Sequence, residues 1–459
     1  MSNIRRNDFT KGSMAGNMLK LAVPMTFAQL INVLYNIVDR MYIGHIPETG
    51  MLSLTGLGVT FPILMFVAAF TRLFGTGGAP LTSIARGEGK LEYAEKIMGN
   101  AFVMLVISGI SLTVLGLLFK KPLLYAFGAS DLTWPYANDY ITIYLIGSTF
   151  VMVGLGMNDF INAQGFARVG MLSVLIGAVS NIVLDPIFIF LLHMGVKGAA
   201  LATIISQAIS AAWVLRFLTS DKAILRLHFS TCRLEKEIVK RITALGLSGF
   251  TMACTNSAVQ IACNSSLQAF GGDLYVGVMT VLNSIREIVL MPVHGLTSGA
   301  QPVLGYNYGA GEYARVKQGI RFVTMGGIVY SVLVWIPLML FPAFWIRIFN
   351  QDPALIEFGS RALRLYYMGF FLMSLQFSGQ CVFVGLGKSK QAIFFSLFRK
   401  VVLVVPLVLI LPHLFSLGVD GVFLSEPISD LIGGGACFLT MYLTLYRKLG
   451  KSEERKAIS

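Results

Sequence analysis

The stretch A-Q-L-I-N-V-L-Y-N-I-V-D-R-M-Y-I, residues 28–43, is apolar enough to lie in a membrane, yet it carries Gln29, Asn32, Tyr35, Asn36 and Asp39. On a helix of 3.6 residues per turn, Gln29, Asn32, Asn36 and Asp39 fall on one face. A carboxylate inside such a span is costly, so it normally faces a bundle interior or a wet cavity and has a task there. The plainer alternative is that Asp39 reaches the membrane interface or pairs with its neighbour Arg40. Adjacent residues point apart on a helix, which argues against that pairing.

The composition around this stretch is that of a polytopic membrane protein. Of 459 residues, 55% are hydrophobic and only 13% charged, against roughly 25% charged in a soluble chain. The mean hydropathy is +0.72. Twelve apolar runs are long enough to span: about 17–42, 53–84, 97–119, 138–162, 169–193, 198–219, 240–270, 274–306, 318–346, 358–386, 391–415 and 419–446. The first follows Arg5, Arg6, Lys11 and Lys20 without a small-residue cleavage site and reads as an uncleaved span. The net charge of +13 is a topology signal and not a nucleic-acid signal. With the N-terminus inside, cytoplasmic segments hold most of the Lys and Arg, including Arg86, Lys90, Arg315, Lys388, Arg447, Lys448 and Lys451. Arg347, Arg361 and Arg364 then sit on the wrong side. The expected location is the plasma membrane, with both termini cytoplasmic. Five scattered cysteines without a CxxC, and five scattered histidines, indicate neither a disulfide framework nor a zinc site.

The chain also repeats. Shifted by 220 residues, G-K-L-E-Y-A (89–94) meets G-A-G-E-Y-A (309–314), Gly165 meets Gly385 and Pro186 meets Pro406. With three further residues, G-V-K-G-A (195–199) meets G-V-D-G-V (418–422). An even number of spans per repeat makes the halves parallel, related by an axis along the membrane normal. The expectation is an all-α polytopic membrane protein, with twelve transmembrane helices in two pseudo-symmetric six-helix lobes around a central cleft. The lobes are 1–219 and 241–459, joined by a polar linker at 220–240. That geometry is usual for alternating-access carriers, and although channels and receptors can also be duplicated, six-helix halves with intramembrane acids favour a carrier; no enzymatic activity is expected.

Acids break the symmetry. In this register Asp39, Asn181 and Asp185 meet Val259, Val401 and Val405. Asn181 and Asp185 share a helix face, and Pro186 removes one backbone bond beside them. Carboxylates, an amide oxygen and a freed carbonyl suit a small hard cation or a shuttled proton. Alternatively, Asp185 is a permanently protonated acid that fixes a kink. The second lobe has its own polar face: Asn256, Gln260 and Asn264, then Thr280, Asn283, Glu287 and His294. Glu287 could attract a cationic ligand, or be neutralised by Arg72, Arg399 or Lys400. Glu426 and Asp430, four apart, are the expected counter-charges of Arg399 and Lys400. The 21 Met and 33 Phe suit a pocket that repacks around varied apolar cations. G-L-G-K-S at 385–389 lacks the first glycine of a phosphate loop, since residue 382 is valine, so ATP binding is not expected. G-L-S-G at 246–249 with His294 is a weak protease pattern in a chain whose repeat does not fit such a fold.

The runs L-Y-N-I-V-D-R-M-Y-I-G, N-I-V-L-D-P-I-F-I, V-K-G-A-A-L-A-T-I-I-S-Q and G-A-Q-P-V-L-G-Y-N-Y-G-A-G together resemble the MATE (multidrug and toxic compound extrusion) family, in its prokaryotic branch related to DinF and MepA. The resemblance covers essentially the whole chain. It implies two six-helix bundles and export of organic cations and other drugs in exchange for H⁺ or Na⁺, without a bound cofactor. Drug-like molecules and membrane lipid are the expected partners, and a monomer the expected state. It also implies a coupling site of Asp39, Tyr35, Asn32, Asn181, Asp185 and the hydroxyl of Thr203, with Asn36 beside it on the first helix. Na⁺, if used, would sit at Asp39, Asn181 and Asp185. The substrate side would be Glu287, Asn283, Gln260, Asn256 and His294. Other branches carry acids on the seventh and tenth spans, which this chain lacks there. The rival reading is a lipid-linked-sugar flippase of related fold, with a channel or intramembrane protease behind it.

Overall fold

The computed structural model describes residues 7–349 and 351–449, apart from the side chains of Ser257 and Phe415. Arg5, Arg6 and Lys451, used above to orient the chain, lie outside these residues. The described chain is helical and without strands. The first six helices are α1 (Met14–Gly44), α2 (Gly50–Gly87), α3 (Leu91–Ala126), α4 (Trp134–Ala163), α5 (Ala167–Pro186, extended by a π turn over Ile187–Leu191) and α6 (Val196–Leu218). One helical run, Lys236–Gly309, is two helices joined at Gly272, whose φ of 71° and ψ of −167° only glycine adopts readily. We call them α7 (236–271) and α8 (273–309). Next come α9 (Tyr313–Leu340), a short turn Pro342–Arg347, and α10, whose halves Pro353–Tyr367 and Phe370–Gly385 meet at a 44° bend. The last two are α11 (Ser389–Leu414) and α12 (Val419–Leu449). Splitting Lys236–Gly309 and joining the α10 halves gives the twelve spans expected.

Two compact units emerge, and their boundary is not the linker. One comprises 1–8 and 24–246, the other 9–23 and 247–459. Helix α1 thus begins in the second unit and continues in the first from Pro24, and α7 does the reverse at Gly246. This corrects the division at 1–219, 220–240 and 241–459. The physical reason lies in close helix approaches. The first turns of α7 press on α2, where a Cβ on Gly77 would lie 2.4 Å from the Ile242 carbonyl oxygen. In the second unit, the start of α1 presses on α8, where a Cβ on Gly299 would lie 2.5 Å from the Ala22 nitrogen.

Residues 220–235 likewise belong to the first unit. Gln164 accepts from the Ile224 and Leu225 amides, and Glu95 accepts from the Arg226 amide. Asn100, fully buried, donates to the Arg233 carbonyl at 3.1 Å and accepts from the Glu235 amide at 2.8 Å. Asn100→Ala should strip both bonds. Each buried group left unmet costs about 1–3 kcal/mol, enough to loosen the segment locally. Limited proteolysis at Arg226 and Arg233 should then run several-fold faster than in the parent protein.

The repeat is visible in the backbone, in a corrected register. Gly195 (φ 56°, ψ −132°) and Gly418 (φ 53°, ψ −129°) adopt the same glycine conformation before α6 and α12. The left-handed residue before α3 is Gly89 and before α9 is Gly311, not Gly309; before α5 and α11 they are Gly165 and Gly387, not Gly385. The E-Y-A identity that suggested a shift of 220 is offset by two residues from the turn geometry. The conclusion drawn from it survives, because the α11 residues two or three further on, such as Leu407 and Val408, are also apolar. Arg361, on the awkward side of the charge count, is paired with Asp420 at the start of α12.

Candidate functional site

The site in the first unit is built on α1, α5 and α6. Asp185 ends the regular part of α5, and Pro186 supplies no N–H to the carbonyl one turn back. The backbone then widens into the π turn at Ile187–Leu191, a device that frequently marks functional positions. Asp185 and Asn181 are buried at 0% and 1% exposure, and Asp39 and Thr203 at 7% each. Asn181 donates through Nδ2 to Asp185 Oδ1 at 3.3 Å and to Thr203 Oγ1 at 3.4 Å. The Asp39 and Asp185 carboxyls approach to hydrogen-bonding range. Two carboxylates are both acceptors, so that contact needs a proton or a cation between them. Asp39 Oδ1, Asp185 Oδ2 and Asn181 Oδ1 are buried oxygens without a donor. Together with Thr203 Oγ1 they form an all-oxygen donor set, which fits a hard monovalent cation as well as a proton.

The structure therefore brings together Asp39, Asn181, Asp185 and Thr203. Tyr35 joins them, one turn before Asp39, with its hydroxyl bonded to Gln207 on α6. Asn32 and Asn36 do not join. Both are exposed, and Asn36 spends its amide on the Asn32 carbonyl of its own helix at 2.7 Å. Sequence reasoning missed the α4 wall of this site. Tyr140 reaches Thr203, and its ring stacks on Tyr144 at 6.2 Å. The signal was available as Tyr136, Tyr140 and Tyr144, a tyrosine at every fourth residue of α4. Asp159, a further acid on α4, faces Gly75 and feels Arg72.

The second unit carries a different cluster. Gln260 donates to Asn264 at 3.2 Å and accepts from Asn283 at 3.0 Å. Tyr366 donates to Asn283 at 3.5 Å and accepts from Arg286 at 2.6 Å. Arg286 also reaches Glu426 at 2.5 Å, and Glu426 takes Arg399 at 3.2 Å and Lys400 at 3.3 Å on the same oxygen. Arg399 is shared with Asp430 at 2.5 Å. Glu426 and Asp430 are thus the counter-charges of Arg399 and Lys400, as their spacing suggested. Arg286 is the member that local spacing did not indicate, since it comes from α8 and meets Glu426 140 residues away in the chain. Of the remaining expected substrate residues, Asn256 and Glu287 are exposed, and His294 is half-buried, its ring edge-to-face with Phe377 at a centroid separation of 4.9 Å.

A duplicated bundle of membrane-spanning helices, with two buried carboxyls in contact in its first half, is the architecture of a membrane transporter. The family model MatE matches residues 24–187 and 249–410, one stretch in each half, and the chain belongs to that family. Among curated proteins, the chain is similar to "Multidrug export protein MepA" of Staphylococcus haemolyticus, 26% identical over 440 residues, covering 95% of this chain and 94% of that protein. The protein of the same name from Staphylococcus aureus strain MRSA252 is 24% identical over 439 residues, covering 95% of each. Among solved structures, a MATE in the bent conformation superposes with a TM-score of 0.91 at 22% identity, covering 100% of this chain and 99% of that one. An outward-facing multidrug resistance MATE family transporter of the MOP superfamily gives 0.89 at 22% identity, covering 98% and 99%.

Proposed function

We propose that this protein is a secondary active exporter of drug-like organic cations and other apolar compounds, working by antiport against inward-moving H⁺ or Na⁺ in the plasma membrane with both termini cytoplasmic. Family membership and the two multidrug export relatives support the export class. The observation that carries the coupling is the pair Asp39 and Asp185, two buried carboxyls in contact with unmet oxygens around them. Their repulsion is relieved when a proton or a sodium ion lies between them, and Asn181, Thr203 and Tyr35 hold that arrangement. Both acids sit on helices with a proline break, at Pro24 and Pro186, so loading the pair biases the shape of α1 and α5. Moving one charge inward through 100 mV yields about 2.3 kcal/mol, roughly a fifty-fold gradient of exported compound. A flippase for lipid-linked sugars would favour a strongly cationic surface. The buried cations Arg286, Arg399 and Lys400 of the second unit instead lie against Glu426 and Asp430.

The test is uptake of ethidium into inverted membrane vesicles under a pH gradient and, separately, a sodium gradient. One gradient should drive uptake by the parent protein, and Asp39→Asn should lower it at least ten-fold. Full uptake by an Asp39→Asn/Asp185→Asn protein would remove these acids from the mechanism.

A further inference from the structure

The Gly195–Gly418 match sets α12 in register with α6. It places Glu426 where the first unit has Thr203, and Asp430 where it has Gln207. The second unit's cluster therefore stands at the repeat position of the first unit's acid site, with the charges redistributed. There the acids lie on α12 and the cations on α11 and α8.

The cluster has one cation too many. Among the described residues, the acids paired with Arg286, Arg399 and Lys400 are Glu426 and Asp430, and every one of these side chains is at most 14% exposed. The neighbours Cys263 and Tyr366 bring no charge of their own at neutral pH. An unbalanced charge in a membrane span is expensive. Arginine does not release its proton, whereas a buried lysine does so readily. Lys400 is also the more weakly held partner, with one contact at 3.3 Å to an oxygen already taken by two arginines. We infer that Lys400 is the proton-exchanging group of the second unit: a neutral amine at rest, whose protonation is relayed through Glu426, Arg286 and Tyr366 to the Gln260–Asn283 amides.

The relay follows from Glu426 Oε1 serving three donors. A charged Lys400 competes for that oxygen and loosens Arg286 from it. Arg286 holds Tyr366, and Tyr366 holds Asn283, which holds Gln260. Those amides are half-buried and belong to the face assigned to substrate, so the link to binding rests on the proposed function. Lys400 acts through its neighbours and is a positioning residue. A proton on Lys400 adds a positive charge to the unit and disfavours a cationic ligand.

Ethidium binding to purified protein, read by fluorescence anisotropy between pH 6 and 9 in an Asp39→Asn/Asp185→Asn background, isolates this group. Affinity should rise with pH, approaching ten-fold per pH unit for one linked proton. Added Lys400→Met should hold affinity near its high-pH value throughout, and Lys400→Arg near its low-pH value. A slope that persists in both variants, or a dependence on chloride against gluconate in place of the slope, would overturn the inference.

Thermal unfolding of the same proteins without ethidium gives a readout free of any substrate premise. A lysine neutral in the fold but protonated when unfolded makes stability rise with pH below the unfolded lysine's range. Lys400→Met and Lys400→Arg should both lose that rise. Equal slopes in all three proteins would overturn the inference by this route. If ethidium binds to none of them while the unfolding slopes differ as stated, the drug-binding reading fails and the lysine stands.

Discussion

Glu426→Ala should destabilise the protein by about 3–5 kcal/mol, the range for breaking a buried charge pair by removing one partner. The loss is large because one oxygen serves Arg286, Arg399 and Lys400 at 2.5, 3.2 and 3.3 Å. Asp430 reaches Arg399 and is left as the cluster's one acid, so at least one arginine keeps its charge in an apolar span without a counter-ion. Glu426→Gln retains a neutral acceptor and should cost less. Glu287→Ala, at an exposed position on α8 whose side chain points away from its chain neighbour Arg286, should change stability by no more than about 0.5 kcal/mol. The three variants can be ranked by thermal unfolding in detergent, followed by reaction of a dye with the buried thiols of Cys263, Cys381 and Cys437. A Glu426→Ala protein that melts with the parent would mean that the cluster is not held together by this carboxylate.

Gly246→Ala should also destabilise the protein, through sterics alone and by a smaller amount. A Cβ at this position would lie 1.7 Å from the Leu73 carbonyl oxygen and 2.6 Å from its carbon. Both are backbone atoms of α2, so no side chain can swing away and α7 must move. Overpacking a tight contact costs typically 1–3 kcal/mol and occasionally more; here the absence of a flexible neighbour favours the upper end. The helix-propensity gain of about 1 kcal/mol on replacing glycine offsets only part of it. Gly58→Ala on α2 is the control, because a Cβ there meets nothing within 4 Å; it should leave stability unchanged or raise it slightly. Since α7 passes from the first unit to the second just after Gly246, the same substitution should also slow ethidium export. Equal melting of the two alanine variants would refute the close approach.

Much of the molecule was written in local chemistry. Span number follows from apolar run length, which is a property of each segment by itself. The duplication followed from short matches such as G-V-K-G and G-V-D-G. Asp39, Asn181 and Asp185 were legible because a carboxylate in an apolar helix has few reasons to exist, and Asn181 and Asp185 share a helix face by spacing alone. The pairing of Glu426 and Asp430 with Arg399 and Lys400 was legible for the same reason, since buried charges of opposite sign seek each other.

Three matters needed the tertiary structure. Along one stripe of α1, Asp39 is buried while Asn32 and Asn36 are exposed, because burial depends on what packs at each level and not on helical phase. The repeat register shifted from 220 to 222 residues at the Gly89 and Gly165 turns, since left-handed backbone marks equivalence where a chance E-Y-A identity does not. And the linker and the first turns of α1 and α7 joined units that their sequence position did not suggest. Which bundle a helix end packs into is decided by close backbone approaches at Gly77, Gly246 and Gly299. Such approaches depend on residues far apart in the chain, and no single segment encodes them.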